Sequence, residues 1–160
     1  MKKNLNNEEK ASIIPPHLLQ HSILIIWKPD YELGIPVVDE QHRGIVATIN
    51  SLYYGMQHKH GESMLMPIAD MVYDYTRIHF EVEEDFLKKC KFPDLDSHQS
   101  LHKELIDELH QFRRETILKK DSIQFIRFLK KWWVDHICDK DRQFREYLLI
   151  LLNFFLELTR

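Results

Sequence analysis

His79 and Glu83 stand four residues apart within Ile78-His79-Phe80-Glu81-Val82-Glu83-Glu84, and His98 and His102 repeat that spacing further on. His136 precedes Asp141 by five, and His42 follows Asp39-Glu40-Gln41. Residues four apart on a helix share a face, so such pairs can turn imidazole and carboxylate donors toward one point. The chemistry those donors have in common is metal coordination. A single histidine on an apolar face is ordinarily a satisfied core residue, so the reading depends on the elements that carry the whole set.

Only four glycines and six prolines occur in 160 residues, little material for hairpins, and the apolar spacing is helical throughout. Asp39 is the expected N-cap of a first helix, whose seam is Val38, His42, Ile45, Ile49, Leu52 and Met56, closed by Gly55 and the run His58 to Gly61. A second helix is expected to start near Pro67, with the seam Ile68, Val72, Tyr75, His79, Val82 and Phe86 and an end at Lys88-Lys89. Asp94 or Asp96 caps a third, with Leu95, His98, His102, Leu105, Leu109, Phe112 and Thr116 on its seam. Ser122 is the expected cap of a fourth, which carries Ile126, Leu129, Trp133 and His136, then Asp141, Phe144 and Leu148. Four such helices with short connections make an all-α, up-down-up-down four-helix bundle. It is flanked by an N-terminal extension over 1–26 and an apolar helical tail over 147–160, leaving 27–146 as the bundle itself. A short helix is expected within the extension, from Pro16 to Ser22.

The formal charge is −3 with acids and bases interspersed, which argues against a nucleic-acid partner. Cys90 and Cys138 are too few for a disulfide framework and fit reduced thiols. No basic start leads into an apolar stretch, and no run approaches the roughly 18–20 apolar residues of a membrane-spanning helix. A cytoplasmic location is the expectation.

His42, His79, His98, His102 and His136 all fall on seams that should be buried, together with Glu83 and Asp141. Burying an unpaired polar group costs about 1–3 kcal/mol, so seven of them would consume the roughly 5–15 kcal/mol by which a domain is stable. Metal coordination satisfies them together. Five imidazoles are too many for magnesium or calcium, and seven donors too many for one zinc ion. Two ions sharing both carboxylates, with an oxo or hydroxo bridge, use the set fully. One ion then reaches six ligands and the other five, with one position open. Imidazole and carboxylate ligation favours iron, with manganese as the alternative.

The set Asp39-Glu-Gln-His42, His79-Phe-x-x-Glu83-Glu84, His98-x-x-x-His102 and Trp132-x-x-x-His136-Ile137-x-x-x-Asp141 resembles the hemerythrins, specifically bacterial single-domain ones, over about residues 27–145. The resemblance implies that His98, His102 and His136 hold the six-coordinate iron. It implies that His42 and His79 hold the five-coordinate one, and that Glu83 and Asp141 bridge the two. It further implies reversible dioxygen binding at the open position, with no enzymatic turnover, for storage, delivery to an oxidase, or sensing. The competing readings are a diiron enzyme acting on peroxide or nitric oxide, and an iron-sequestering module.

Glu81 and Glu84 are expected to be solvated surface charge, with contact to a ligand as the alternative for either. Phe80, Trp132 and Trp133 are expected in the core. Trp133 stands where the resembled family more often has leucine, a departure that bears on affinity and autoxidation. Cys138 is expected to point away from the seam, and His17, His21, His58, His60 and His110 to lie at the surface. The tail, apolar at Leu148–Leu152 and Phe154–Leu156, is expected to extend the fourth helix and pack on the arm Ile13 to Ile26. Self-association and contact with a membrane surface are the alternatives.

Overall fold

The computed structural model describes residues 23–58, 61–119 and 121–158. The expected short helix Pro16–Ser22, His17, His21 and His60 lie outside the described residues, as does most of the arm. The part that is described ends on α1 (Pro36–Gln57). There the Asn50 side chain accepts hydrogen bonds from the backbone N–H groups of Leu24 (3.0 Å) and Ile25 (2.9 Å) and donates one to the Ile25 carbonyl (2.8 Å). An amide side chain thus completes the backbone hydrogen bonding of an extended segment, and Ile25 is buried beneath it.

Four rods form the bundle. After α1 come α2 (Gly61–Lys89), α3 (Leu95–Lys119) and α4 (Ser122–Asp135). The last continues without a break through a π turn, His136–Asp141, into α5 (Arg142–Leu158). α1 packs against α2 and α4, and α3 packs against the same two, as an up-down-up-down arrangement requires.

Several helix ends differ from expectation. α1 starts at Pro36, three residues before Asp39, because proline's fixed φ suits the first turn and its missing N–H costs nothing there. Asp39 is therefore not the cap. Its carboxylate reaches back from the first turn and accepts from the N–H groups of Leu33 (2.7 Å) and Gly34 (3.1 Å), fixing the lead-in loop. Gly34 turns that loop with a φ of +81°, a conformation open chiefly to glycine.

α2 starts at Gly61 rather than near Pro67, which falls inside it. The extra turn buries Leu65 and packs Met64 against the core, and this offsets the lost proline hydrogen bond. The cap of α4 is Asp121, not Ser122: the Asp121 carboxylate accepts from Gln124 N–H at 2.9 Å. On α2 the inward face is Ile68, Ala69, Val72, Thr76, His79, Phe80, Glu83 and Leu87, with Tyr75, Val82 and Phe86 only half-buried.

The end of α2 is a Schellman turn. Phe92 N–H donates to the Leu87 carbonyl (3.0 Å) and Lys91 N–H to that of Lys88 (3.1 Å), with Lys91 left-handed at φ 55°. The hydroxyl of Tyr147 on α5 donates to the carbonyls of Cys90 (3.0 Å) and Lys91 (3.1 Å), so the same turn anchors the final helix.

The apolar interior falls into two clusters. The larger contains Ile45, Ile49, Leu52, Val72, Leu109, Phe125, Leu129 and Trp133. The smaller, at the opposite end, contains Leu33, Ile35, Val38, Leu87, Phe92 and Phe144. On every helix the candidate histidines and acids lie between the two. Past Leu148, α5 leaves the second cluster, and Leu149, Ile150 and Leu152 are exposed. Among the described residues, no helix is long and apolar enough to cross a membrane.

Candidate metal centre

Each helix delivers donors at one level. α1 supplies His42, α2 supplies His79 and Glu83 one turn apart, and α3 supplies His98 and His102 one turn apart. His136 and Asp141 come from the π turn. All seven are buried, and the structure brings them into one cluster.

The π turn is what admits Asp141. At about 3.6 residues per turn, a residue five positions on would fall about 140° around an α-helix. Hydrogen bonding from i to i+5 aligns residues five apart, and Asp141 Oδ1 lies 3.2 Å from His136 Nε2.

The carboxylates divide their oxygens between two groups of histidines. Glu83 Oε1 lies 2.6 Å from His98 Nε2 and 3.3 Å from His102 Nε2, while Oε2 faces His79 Nε2 at 3.7 Å. Asp141 Oδ1 faces His136 at 3.2 Å and His98 Nε2 at 3.9 Å, while Oδ2 lies 3.4 Å from His42 Nε2. His42 Nε2 and His79 Nε2 are themselves 3.2 Å apart. Two four-residue groups of converging donor atoms result: His42, His79, Glu83 and Asp141, and Glu83, His102, His136 and Asp141. Their intersection is the carboxylate pair.

Outer partners orient two of the imidazoles. His102 Nδ1 donates to Glu84 Oε1 at 2.8 Å, and His79 Nδ1 pairs with Gln41 Oε1 at 3.1 Å. With the proton on Nδ1, each Nε2 lone pair is turned toward carboxylate oxygen. Lone pair facing lone pair is repulsive unless a cation lies between. Glu84 is also held by Gln99 Nε2 at 2.8 Å. The expectation of solvated charge therefore fails for Glu84, because α3 packs close enough to offer it a histidine. Glu81, by contrast, is exposed. Gln41 is a contact the sequence reasoning missed; its only signal was its place beside His42.

Burial sets the protonation states. It pushes His42 down to about 4, against the raising fields of Glu83 and Asp39. It pushes His79 down to about 3 and holds His136 well below the usual imidazole range. Asp141 is raised well above the usual carboxyl range, first by burial and then by Glu83. Burial works the same way on Glu83, but the imidazoles of His102, His98 and His79 hold it well below the ordinary value. Burial thus favours the neutral, ligating form of His42, His79 and His136 and works against the ionised form that Asp141 needs as a ligand.

Many of these atoms have no hydrogen-bond partner: His42 Nδ1, Glu83 Oε2, His102 Nε2, both ring nitrogens of His136 and both oxygens of Asp141. Five of them, Glu83 Oε2, His102 Nε2, His136 Nε2 and both Asp141 oxygens, face one another within the cluster, and leaving these buried at about 1–3 kcal/mol each would rival the whole stability of a domain. The donor set fits cations: five imidazoles and two carboxylates are balanced for two transition-metal ions sharing the acids.

Aromatic rings wall the cluster. Phe80 stacks on His102 at 3.7 Å and 3° between planes, and Trp133 packs edge-wise on His42 (5.3 Å) and His79 (5.4 Å). His136, His98 and His102 each line a surface cavity of about 290, 300 and 280 Å³ respectively. His42 and His79 line none of the described cavities. Cys138 is half-buried, its thiol raised by burial, and His58 and His110 are exposed as expected.

A four-helix bundle with a histidine-rich, carboxylate-sharing centre at its core is a cation-binding helical bundle. The chain belongs to the hemerythrin family: the profile described as "Hemerythrin HHE cation binding domain" matches residues 33–148. It is similar to a bacteriohemerythrin of Stenotrophomonas maltophilia, 29% identical over 133 residues, which covers 82% of this chain and 86% of that protein. A bacteriohemerythrin of Clostridium acetobutylicum is 27% identical over 127 residues, 76% of this chain and 98% of the relative. A hemerythrin-like protein of Naegleria gruberi is 29% identical over 122 residues, 76% and 92% of the two chains. Among solved structures, a leucine-to-alanine variant of a hemerythrin superposes with a TM-score of 0.68 at 22% identity, covering 78% of this chain and 96% of that one. The family match stops short of the apolar end of α5, which runs on beyond residue 148.

Proposed function

We propose that His42, His79, Glu83, His98, His102, His136 and Asp141 hold two non-haem iron ions, and that the chain uses them to bind dioxygen reversibly, for storage, delivery or sensing. The observation that carries this reading is the division of each carboxylate, with one oxygen toward His42 and His79 and the other toward His98, His102 and His136. Three histidines and two shared acids saturate one position more fully than two histidines and the same acids do. An open position would therefore fall on the His42/His79 side. Two ferrous ions held by the seven residues would supply the two electrons that dioxygen takes up on binding and returns on release.

The protein's own part is to hold, orient and exclude. Glu84 and Gln41 keep the Nε2 lone pairs of His102 and His79 turned inward. Trp133 packs on His42 and His79 and Phe80 on His102, shielding the two-histidine side from water, which would suppress loss of partly reduced oxygen and favour release of the intact molecule. Glu84 is an acid near the centre, but it touches the Nδ1 edge of His102, on the three-histidine side. On the His42/His79 side the further acid is Asp39, whose carboxylate is occupied as an acceptor for the Leu33 and Gly34 N–H groups, so reversible binding is favoured over peroxide or nitric oxide chemistry.

The test is one cuvette and one assay. Anaerobically reduced protein should be nearly colourless, turn pink-red in air and bleach under vacuum, with close to two irons per chain. Immediate irreversible conversion to a ferric product would transfer the reading to a diiron enzyme, and one iron or none would end it.

A further inference from the structure

Trp133 is fully buried, and its indole Nε1–H has no hydrogen-bond partner. Trp132 shares the second property but not its setting. Trp132 lines the α3/α4 cavity of about 290 Å³, and its ring packs on Phe128 and Trp133 rather than on His42 or His79. Trp133 has no exposed surface, and its ring packs on His42 at 5.3 Å and on His79 at 5.4 Å between centroids, with His136 at 5.8 Å. Its nearest polar company is thus the two-histidine side of the centre.

A buried indole N–H ordinarily finds an acceptor. Several buried acceptors of the centre are also unpartnered, among them Glu83 Oε2, both Asp141 oxygens and ring nitrogens of His42 and His136, and none of them takes it. Cations bound to those oxygens would engage the lone pairs that face the histidines. A ligand entering where a coordination position is left open would bring the indole a fresh acceptor.

We propose that Trp133 is the specificity-determining residue of the ligand site. Its indole limits the occupant to a diatomic or small linear molecule, and its N–H donates a hydrogen bond to that occupant. The class it selects is small ligands carrying a lone pair or negative charge on the atom away from the metal, dioxygen and small anions alike. The inference rests on the proposed placement of the vacancy beside His42 and His79.

Azide, a small linear anion with an acceptor nitrogen at its far end, is the probe. In the iron-loaded, oxidised protein, Trp133→Phe keeps most of the ring and removes the N–H. It should weaken azide binding about 10- to 100-fold, the loss of one hydrogen bond to a charged partner, with iron content unchanged. Where that variant does not fold, the wild-type protein still decides the matter. Ultraviolet resonance Raman difference spectra with and without azide should show an indole N–H marker band shifting as one tryptophan gains an acceptor. Equal azide affinity in Trp133→Phe, or an unshifted band on saturation with azide, would overturn the proposal. Either result leaves a reversible dioxygen cycle in the wild type intact. A wild type that binds azide through Trp133 but shows no reversible cycle removes the carrier reading alone.

Discussion

His136 and Asp141, five residues apart in sequence, meet at 3.2 Å because the fourth helix makes one π turn between them. The turn amounts to one residue added to an α-helix without disturbing the helix beyond it. Phe144 and Tyr147 still reach the second cluster and the end of α2. Deleting exposed Asp139 should therefore restore α-helical spacing and keep two metal ions per chain. Deleting exposed Lys130 from α4 should rotate everything after it by about 100° and lose both. Metal analysis of the two purified deletion variants separates these outcomes, and equal loss in both would show that the π turn is itself required.

Asp141 and His79 should differ in what they take away. Asp141 has one oxygen toward each group of histidines, whereas His79 belongs to one group. Asp141→Ala is expected to lose both ions, and His79→Ala to keep one or bind the second weakly while losing dioxygen binding. His98→Ala should fall between, since its Nε2 contacts both Glu83 (2.6 Å) and Asp141 (3.9 Å). Stoichiometry after dialysis, read beside circular dichroism to confirm helix, gives the order.

Glu84 should act only through His102. Removing the carboxylate in Glu84→Ala frees the imidazole to rotate and withdraws the acceptor that fixes its proton on Nδ1. Loss of such a partner typically costs about 10- to 100-fold in metal affinity. Competition against a chelator measures it. Glu81→Ala, at an exposed position on the same helix, is the control expected to change nothing.

The bundle and its inward histidines were legible because a 3.6-residue period carries over directly from sequence to burial. Seven donors on four seams point to one place whatever the loop geometry. What was not legible depended on three-dimensional neighbours. Glu84 reads as surface because it lies about 100° around the helix from Glu83, and only the approach of α3 gives it His102. Asp39 reads as an N-cap because its type suits one, yet Pro36 can begin the helix and Asp39 is used to hold the loop. The early start of α2 was hidden by Pro67, whose local cost is offset by packing of Met64 and Leu65. Asp141 was placed inward on a five-residue spacing that an α-helix would have turned away, and the π turn supplies the reason.

Acid should unfold the metal-free protein through its imidazoles. His42 and His79 hold folded-state values of about 4 and about 3, below the ordinary 6.5, and His136 is depressed as well. As pH falls below about 6.5 the unfolded chain takes up these protons first, so stability falls with falling pH, by about 1.4 kcal/mol per pH unit for each unmatched proton. Asp141 works in the opposite sense. Its raised value means that the folded state gains its proton first, which stabilises the fold as pH drops through that value toward 3.8. Three imidazoles outnumber this one carboxyl, so the net direction is loss. Glu83, held below 4.5, adds to it at the acid end. The urea midpoint of metal-free protein should be flat above about pH 7.5 and decline between 6.5 and 4. Metal-loaded protein should stand above it at neutral pH by the binding free energy and converge on it as acid displaces the metal. A metal-free protein equally stable at pH 7 and pH 5 would mean that these imidazoles are not buried neutral.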